Sequence, residues 1–180
     1  MHPMTESNLH NAYAGESMAH MRYKIFAEVA EKEGFPNVAH LFRAIAQAEQ
    51  VHATNHARKM PRRGGPEAAE APFGVGNTSE NLQFGIDGET FEIEEMYPVY
   101  REVAKFQNER LALQSFDYAW NTEKVHQKMF VEAKSDVDSR KDYKRENIWV
   151  CKVCGFTGEG EAPDRCPLCG AKKDQMENFP

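Results

Sequence analysis

The sequence predicts a mainly α chain: a four-helix bundle followed by a small metal-binding module. Three observations carry this. Four long stretches place apolar residues at steps of three and four, the period of a helix with one buried face. Each of the four apolar seams contains a glutamate, and two contain Glu-x-x-His. All four cysteines fall near the C-terminus, as Cys151-x-x-Cys154 and Cys166-x-x-Cys169.

The first helix is predicted from Ser7 or Asn8, as N-cap, to Lys32, with seam Leu9, Ala12, Glu16, Ala19, Tyr23, Phe26 and Ala30. Gly34 stops it, and Pro36 opens a second helix to Lys59 with seam Val38, Leu41, Ile45, Glu49 and His52. Residues 61–79 are rich in Pro, Gly and Ala and too long for a tight helical hairpin. They suit a crossover between parallel helices. The third helix is predicted from Thr78 or Ser79 to Gln107, kinked by Pro98, with seam Glu89, Glu92, Met96, Val99 and Val103. Asn108 is a left-handed break. The fourth helix is predicted from Glu109 to Lys134, with seam Ala112, Phe116, Ala119, Glu123, His126 and Phe130. These helices give a bundle domain over 1–134, a polar linker over 135–147 and a cysteine module over 148–180.

The chain also has a half-repeat. Glu16 precedes Glu49 by 33 residues and Glu89 precedes Glu123 by 34, so each half is a seam-Glu helix followed by a Glu-x-x-His helix. A pseudo-twofold axis would gather these groups at the bundle centre.

Composition bounds the function. With 180 residues, 41% hydrophobic and 28% charged, the chain builds one core and one small module. A net charge of −6 argues against nucleic acid and anionic membrane as partners. No run has the length of a membrane span, and the N-terminus has no basic-then-apolar signal pattern, so a cytoplasmic protein is expected.

A seam is the wrong place for an ionised carboxylate unless a cation compensates it, because an unpaired buried charge costs several kcal/mol or more. One Glu-x-x-His is a common pair on helix surfaces. Two copies with two further seam glutamates form a set of four carboxylates and two imidazoles, which suits two divalent ions. This is the known pattern of ferritin-like di-iron carboxylate proteins, whose bundles have one long crossover. Glu92, three residues after Glu89, adds a seventh candidate ligand. Tyr23 and Tyr97 flank the set, as core aromatics or as hydrogen-bond partners of the ligands. His20 and His56 read as partly exposed or behind the ligands; His2, His10 and His40 read as surface residues.

The four cysteines form two knuckles. The glycine after each second cysteine, Gly155 and Gly170, lets the chain turn back so that amides face sulfur. Four thiolates make a closed tetrahedral site for zinc or a single iron. Trp149, Phe156 and Phe179 are expected to pack around it. Some 33 residues cannot fold well on burial alone, so the metal is structural whatever else it does.

The whole pattern resembles the rubrerythrin family. The matching stretches are Ala14-Gly15-Glu16-Ser17, Glu49-x-x-His52, Gly88-Glu89-Thr90-Phe91-Glu92 through Met96-Tyr97-Pro98, Glu123-x-x-His126 and the two rubredoxin-form knuckles. The resemblance implies a ferritin-like bundle holding two Fe and a rubredoxin-like domain holding one Fe. It implies a cytoplasmic peroxidase that reduces hydrogen peroxide to water, with electrons from a separate NAD(P)H-fed reductase relayed through the rubredoxin iron. Glu16, Glu49, Glu89, Glu123 and His126 would hold the irons in both redox states, with Glu49 and Glu123 bridging. One iron would exchange Glu92 for His52 between states, with Tyr23 and Tyr97 beside the cluster. A head-to-tail homodimer is implied, its rubredoxin domains each docked on the partner's bundle. A ferritin-like iron-oxidising and storage protein, an oxygen-reducing di-iron protein and a pure electron carrier are the competing readings. Storage has no use for the cysteine tail, and a carrier has none for seven seam ligands.

Overall fold

The computed structural model describes residues 1–61, 74–144 and 147–179. Helix α1 spans Pro3–Lys32, earlier than expected. Pro3 opens it, and Gln107 stands in for a local cap: its Oε1 accepts from the Thr5 amide (3.2 Å) and hydroxyl (2.6 Å). Gly34, at φ +86°, turns the chain into α2, Pro36–Lys59. The predicted crossover lies outside the described residues from 62 to 73. Helix α3, Thr78–Phe91, starts on a capping box between Asn77 and Glu80, as the Glu80 carboxylate returns to the Asn77 amide.

The expected single third helix is in fact three pieces. After α3 comes a π-helical turn, Glu92–Met96, and then α4, Tyr97–Phe106. Pro98 sits in the first turn of α4, where its missing N–H costs nothing, so the π-turn and not the proline interrupts the helix. The extra residue rotates everything after it. The seam therefore continues through Tyr97 and Ala104, both buried, while the expected Val99 is 57% exposed and Met96 and Val103 are only half-buried. The repeat shows the insertion directly. Tyr23 follows Glu16 by seven residues, two helical turns; Tyr97 follows Glu89 by eight. Trp120 compensates the interruption by donating its indole N–H to the Ile93 carbonyl in the π-turn at 2.9 Å.

Asn108 adopts φ +57° as expected, and α5 runs Arg110–Asp138, four residues beyond the predicted end. Those residues continue the buried stripe as far as Val137. Two apolar clusters fill the bundle. One contains Tyr23, Phe26, Leu41, Phe42, Ile45, Leu82 and Phe130; the other contains Leu9, Tyr97, Ala112, Phe116 and Ala119. The tyrosine of each cluster reaches the carboxylates.

The cysteine module is a three-stranded antiparallel sheet, ordered β2 (Thr157–Glu159), β1 (Ile148–Cys151), β3 (Met176–Phe179). Trp149 and Phe156 pack around the sulfurs as expected, but Phe179 packs against the main bundle core. The module is seated on the helices of its own chain. Ile148, Val150 and Tyr143 join the bundle core, and Asp142 caps α2 by accepting from the amides of Asn37 (2.9 Å) and Val38 (3.3 Å). The described part of 135–147 is thus tied to the bundle through Asp142 and Tyr143, and the module packs on the helices of its own chain.

Candidate metal centre

Six of the seven expected bundle ligands converge. Helix α1 supplies Glu16, α2 supplies Glu49 and His52, α3 supplies Glu89, and α5 supplies Glu123 and His126; all are at most 2% exposed. They form two groups of four, Glu16-Glu49-His52-Glu123 and Glu49-Glu89-Glu123-His126. Glu49 and Glu123 belong to both. His52 Nδ1 lies 2.9 Å from Glu49 Oε2, 2.9 Å from Glu123 Oε1 and 3.9 Å from Glu16 Oε1. His126 Nδ1 repeats this on the other side, 2.8 Å from Glu123 Oε2, 3.2 Å from Glu49 Oε1 and 4.0 Å from Glu89 Oε1.

Glu92 is the exception. It lies in the π-turn, half-buried, and belongs to neither group. Three residues after Glu89 and still in α-helical backbone, it interacts electrostatically with Glu89, Glu16, Glu123 and Glu49, so it stands beside the cluster; the π-turn shifts only the residues that follow it.

The electrostatics describe a cluster built around positive charge. Burial raises the pKa of Glu16, and the charges of Glu49 and Glu123 raise it further against the Tyr97 hydrogen bond. Burial and then Glu123 and Glu49 raise that of Glu89; burial and then Glu16 and Glu123 raise that of Glu92. Burial opposes charging of His52, but Glu123 and Glu49 outweigh it and push the imidazole up to about 10; the same carboxylates do so for His126, also to about 10. Burial also acts on Glu49, and His126 and His52 outweigh it and hold Glu49 below its ordinary range. The same carboxylates that favour imidazolium at His52 and His126 would favour a bound cation between them.

The donor set fits two metal ions. Glu49 Oε1 and both oxygens of Glu123 face the two ligand imidazoles, and Glu16 Oε2 and Glu89 Oε2 are buried without a hydrogen-bond partner. Such atoms are rare in a folded protein and point to a cation. The four cysteines are reduced, with Sγ–Sγ distances of 3.6 Å for Cys151–Cys169 and for Cys154–Cys166. A tetrahedron of metal–sulfur bonds of about 2.3 Å needs nearly this spacing. Gly155 and Gly170 have φ of +84° and +75°, as the two knuckles require.

Both flanking tyrosines are hydrogen-bond donors to ligands. Tyr23 donates to Glu89 Oε1 at 2.8 Å, and Tyr97 donates to Glu16 Oε1. His56 takes the second of its two expected places, fully buried behind the ligands, with Nε2 3.1 Å from the Tyr97 hydroxyl and Nδ1 2.9 Å from Ser115 Oγ. Sequence reasoning missed Ser115 altogether, although it lies three positions from Ala112 on the predicted seam. His20 is half-buried and bonded through Nδ1 to the Ala46 carbonyl, away from the cluster. His2 is exposed, and His10 and His40 are half-buried.

The two metal-binding groups meet at the histidines. His126 Nε2 lies 2.9 Å from Thr157 Oγ1, and Gly155 packs against the His52 ring. Asn55 of α2 donates to the Val153 carbonyl at 2.9 Å.

The rubrerythrin family model matches residues 7–134, and its rubredoxin-like domain model matches 149–177. The chain belongs to the rubrerythrin family. It is 45% identical to rubrerythrin-2 of Clostridium acetobutylicum over 178 residues, 98% of this chain and 97% of that one. Fully reduced, all-ferrous nigerythrin superposes with a TM-score of 0.84 at 31% identity, covering 99% of this chain and 88% of the other. The ferritin of M. penetrans superposes with a TM-score of 0.64 over 77% of this chain and 88% of its own at 14% identity, which shows the fold alone. This rubrerythrin-family chain therefore carries the ligand sets of a di-iron carboxylate centre and of a rubredoxin-like iron site. No helix among the described residues is long and apolar enough to cross a membrane.

Proposed function

We propose that the protein is a cytoplasmic peroxidase that reduces hydrogen peroxide to water, taking electrons from an NAD(P)H-linked reductase through its cysteine module. The observation that carries this is the junction: the module is seated on His52 and His126, one histidine from each half of the bundle cluster. A storage protein has no use for such a junction, and a pure electron carrier has none for the buried carboxylates.

When bound, two ferrous ions supply the two electrons that peroxide takes, and the cysteine-held iron replaces them one at a time. The protein's part is to bind, orient and hold protons. Glu49 and Glu123, common to both groups, would be shared by the two ions, and Glu16 with His52 and Glu89 with His126 would complete the two ends. Glu92, outside the two groups but in electrostatic contact with them, would be the carboxylate that exchanges with His52. A carboxylate suits the more oxidised ion and a neutral imidazole the more reduced one. Tyr23 and Tyr97 hold one oxygen of Glu89 and one of Glu16, and the buried carboxylates keep protons within reach of the reaction. A homodimer remains part of this reading.

Anaerobic titration of the di-ferrous protein tests it. One equivalent of peroxide should oxidise both bundle irons, much faster than oxygen does. Faster reaction with oxygen would favour the oxygen-reducing alternative, and accumulation of many irons per chain would favour storage.

A further inference from the structure

The two tyrosine–carboxylate pairs look equivalent and are not. From the π-turn onward, matching positions of the two halves differ by 74: Tyr23 and Tyr97, Glu49 and Glu123, His52 and His126. By the same count, His56 matches Phe130 and Ser115 matches Leu41. Tyr23 therefore has an aromatic hydrocarbon at its back, with Phe130 at a ring-centroid distance of 5.3 Å. Tyr97 has an imidazole at 3.1 Å from its oxygen, and that imidazole has a serine behind it. Both residues are at most 2% exposed. Buried polar groups cost free energy unless they are hydrogen-bonded, and an apolar pair serves the packing in the other half.

We propose that His56 and Ser115 are positioning residues for the di-iron site, fixing the single hydroxyl hydrogen of Tyr97 on Glu16 Oε1 and leaving Oε2 to ligate. The inference rests on Glu16 being a ligand, as read above, and not on the reaction. Three contacts draw on three hydrogens, and the single ring hydrogen of neutral His56 leaves two arrangements to compare. In the first, Ser115 donates to Nδ1, Nε2–H donates to the Tyr97 oxygen, and Tyr97 donates to Glu16. In the second, Nδ1–H donates to Ser115, Tyr97 donates to Nε2, and Glu16 Oε1 faces a phenol oxygen with no hydrogen between them. A hydrogen bond to a carboxylate is worth more than one to a neutral imidazole, so the first arrangement holds. In it each donor also polarises the next, which makes Tyr97 a stronger donor than Tyr23. Glu16 Oε2, which has no hydrogen-bond partner, is the oxygen left free.

The full chain, with zinc at its metal sites, tests the arrangement by ¹⁵N NMR of the His56 ring. Nε2 should carry the hydrogen and Nδ1 should not; the reverse tautomer overturns the proposal while leaving the metal site intact. A second readout is the reduction potential of the iron-loaded bundle site. A hydrogen bond to a ligand carboxylate weakens its hold on the more oxidised ion. His56→Leu should thus lower the potential, and His56→Gln, whose amide can donate to Tyr97, should restore most of it. In a Tyr97→Phe background, His56→Leu should add no further shift. Equal shifts in both backgrounds, or no recovery with Gln, would reduce His56 to a packing residue. Loss of neither iron nor the shift in Glu16→Ala would instead count against the ligand assignment itself.

Discussion

Gly155 packs directly against the imidazole of His52: a Cβ at Gly155 would lie 2.2 Å from His52 Nε2 and 3.2 Å from the Ala48 carbonyl. One residue of the cysteine module thus closes the outer edge of a bundle ligand, which is why Nε2 is buried without a hydrogen-bond partner. Gly155 has two reasons to be glycine, its φ of +84° and this contact. Gly170 has only the first, since a Cβ there meets nothing within 4 Å. Gly170→Ala should cost about 1–2 kcal/mol, the left-handed backbone alone. Gly155→Ala should cost clearly more, and should also lower the affinity of the His52 end of the cluster for metal. Thermal melts and metal titration of both variants check this; equal effects would mean that the contact carries no energy.

The metal-free protein should lose stability as pH rises. His52 and His126 hold their protons to about 10 in the folded state against 6.5 unfolded, because the carboxylates around them outweigh burial. Their contribution is complete below pH 6.5 and is lost as pH rises through about 10. Glu16, Glu89 and Glu92 are also raised, so their contribution falls in the same direction once pH exceeds 4.5, their unfolded value. Glu49, held low, opposes this only in acid. Chelator-treated protein should melt roughly 10 °C lower at pH 10 than at pH 6. Metal-loaded protein should change much less over that range, because the ions take the place of the protons. A rise in the metal-free melting temperature over this range would contradict the cluster's charge balance.

The π-turn depends on Trp120. Its indole donates to the Ile93 carbonyl, and its ring lies between the Arg101 guanidinium carbon at 4.0 Å and the Lys124 ammonium at 3.0 Å from its centroid. Trp120→Phe keeps an aromatic face for the two cations and removes only the donor. Leaving that carbonyl unpaired should cost about 1–3 kcal/mol, seen as a lower midpoint in denaturant. Hydrogen exchange should speed up in residues 92–97 more than elsewhere. Unchanged protection there would show that the turn holds without the indole.

These features differ in how far the residues alone reveal them. The seam glutamates and both Glu-x-x-His pairs were legible because a charged group in an apolar stripe violates the helical pattern. The π-turn was written in the spacing as well: eight residues from Glu89 to Tyr97 against seven from Glu16 to Tyr23. A single regular third helix hides it, and so places Val99 on the buried face, where it is in fact 57% exposed. His56 and Ser115 were not legible, because a histidine four residues after a ligand and a serine one short of Phe116 fit a surface or a core equally well. The seat of the module was not legible either. It depends on contacts between residues about a hundred positions apart, such as Asn55 with Val153, for which no local pattern codes.

On the function proposed above, that seat predicts the route of electrons. Asp142 caps α2, Tyr143 donates to Glu159 at 2.6 Å, and Ile148 and Val150 lie in the bundle core. The module is therefore held to its own bundle by buried surface on both sides of the knuckle that meets His52. Electrons should pass within one chain, from the cysteine site to the cluster it covers. Two inactivated forms test this: Cys151→Ser/Cys154→Ser, which lacks the relay, and Glu49→Ala/Glu123→Ala, which lacks the shared carboxylates. Each should lose nearly all reductase-driven peroxide turnover. Refolding the two together should form mixed oligomers, detectable by a mass tag, without restoring turnover. Recovery toward half of the native rate in those mixed oligomers would show transfer between chains, and would mean that the module exchanges its seat with a partner's. Zinc confined to the cysteine site of the native chain supplies the control. It keeps the tetrahedral fold but cannot change charge, so the di-ferrous bundle should still react once with peroxide while steady turnover stops.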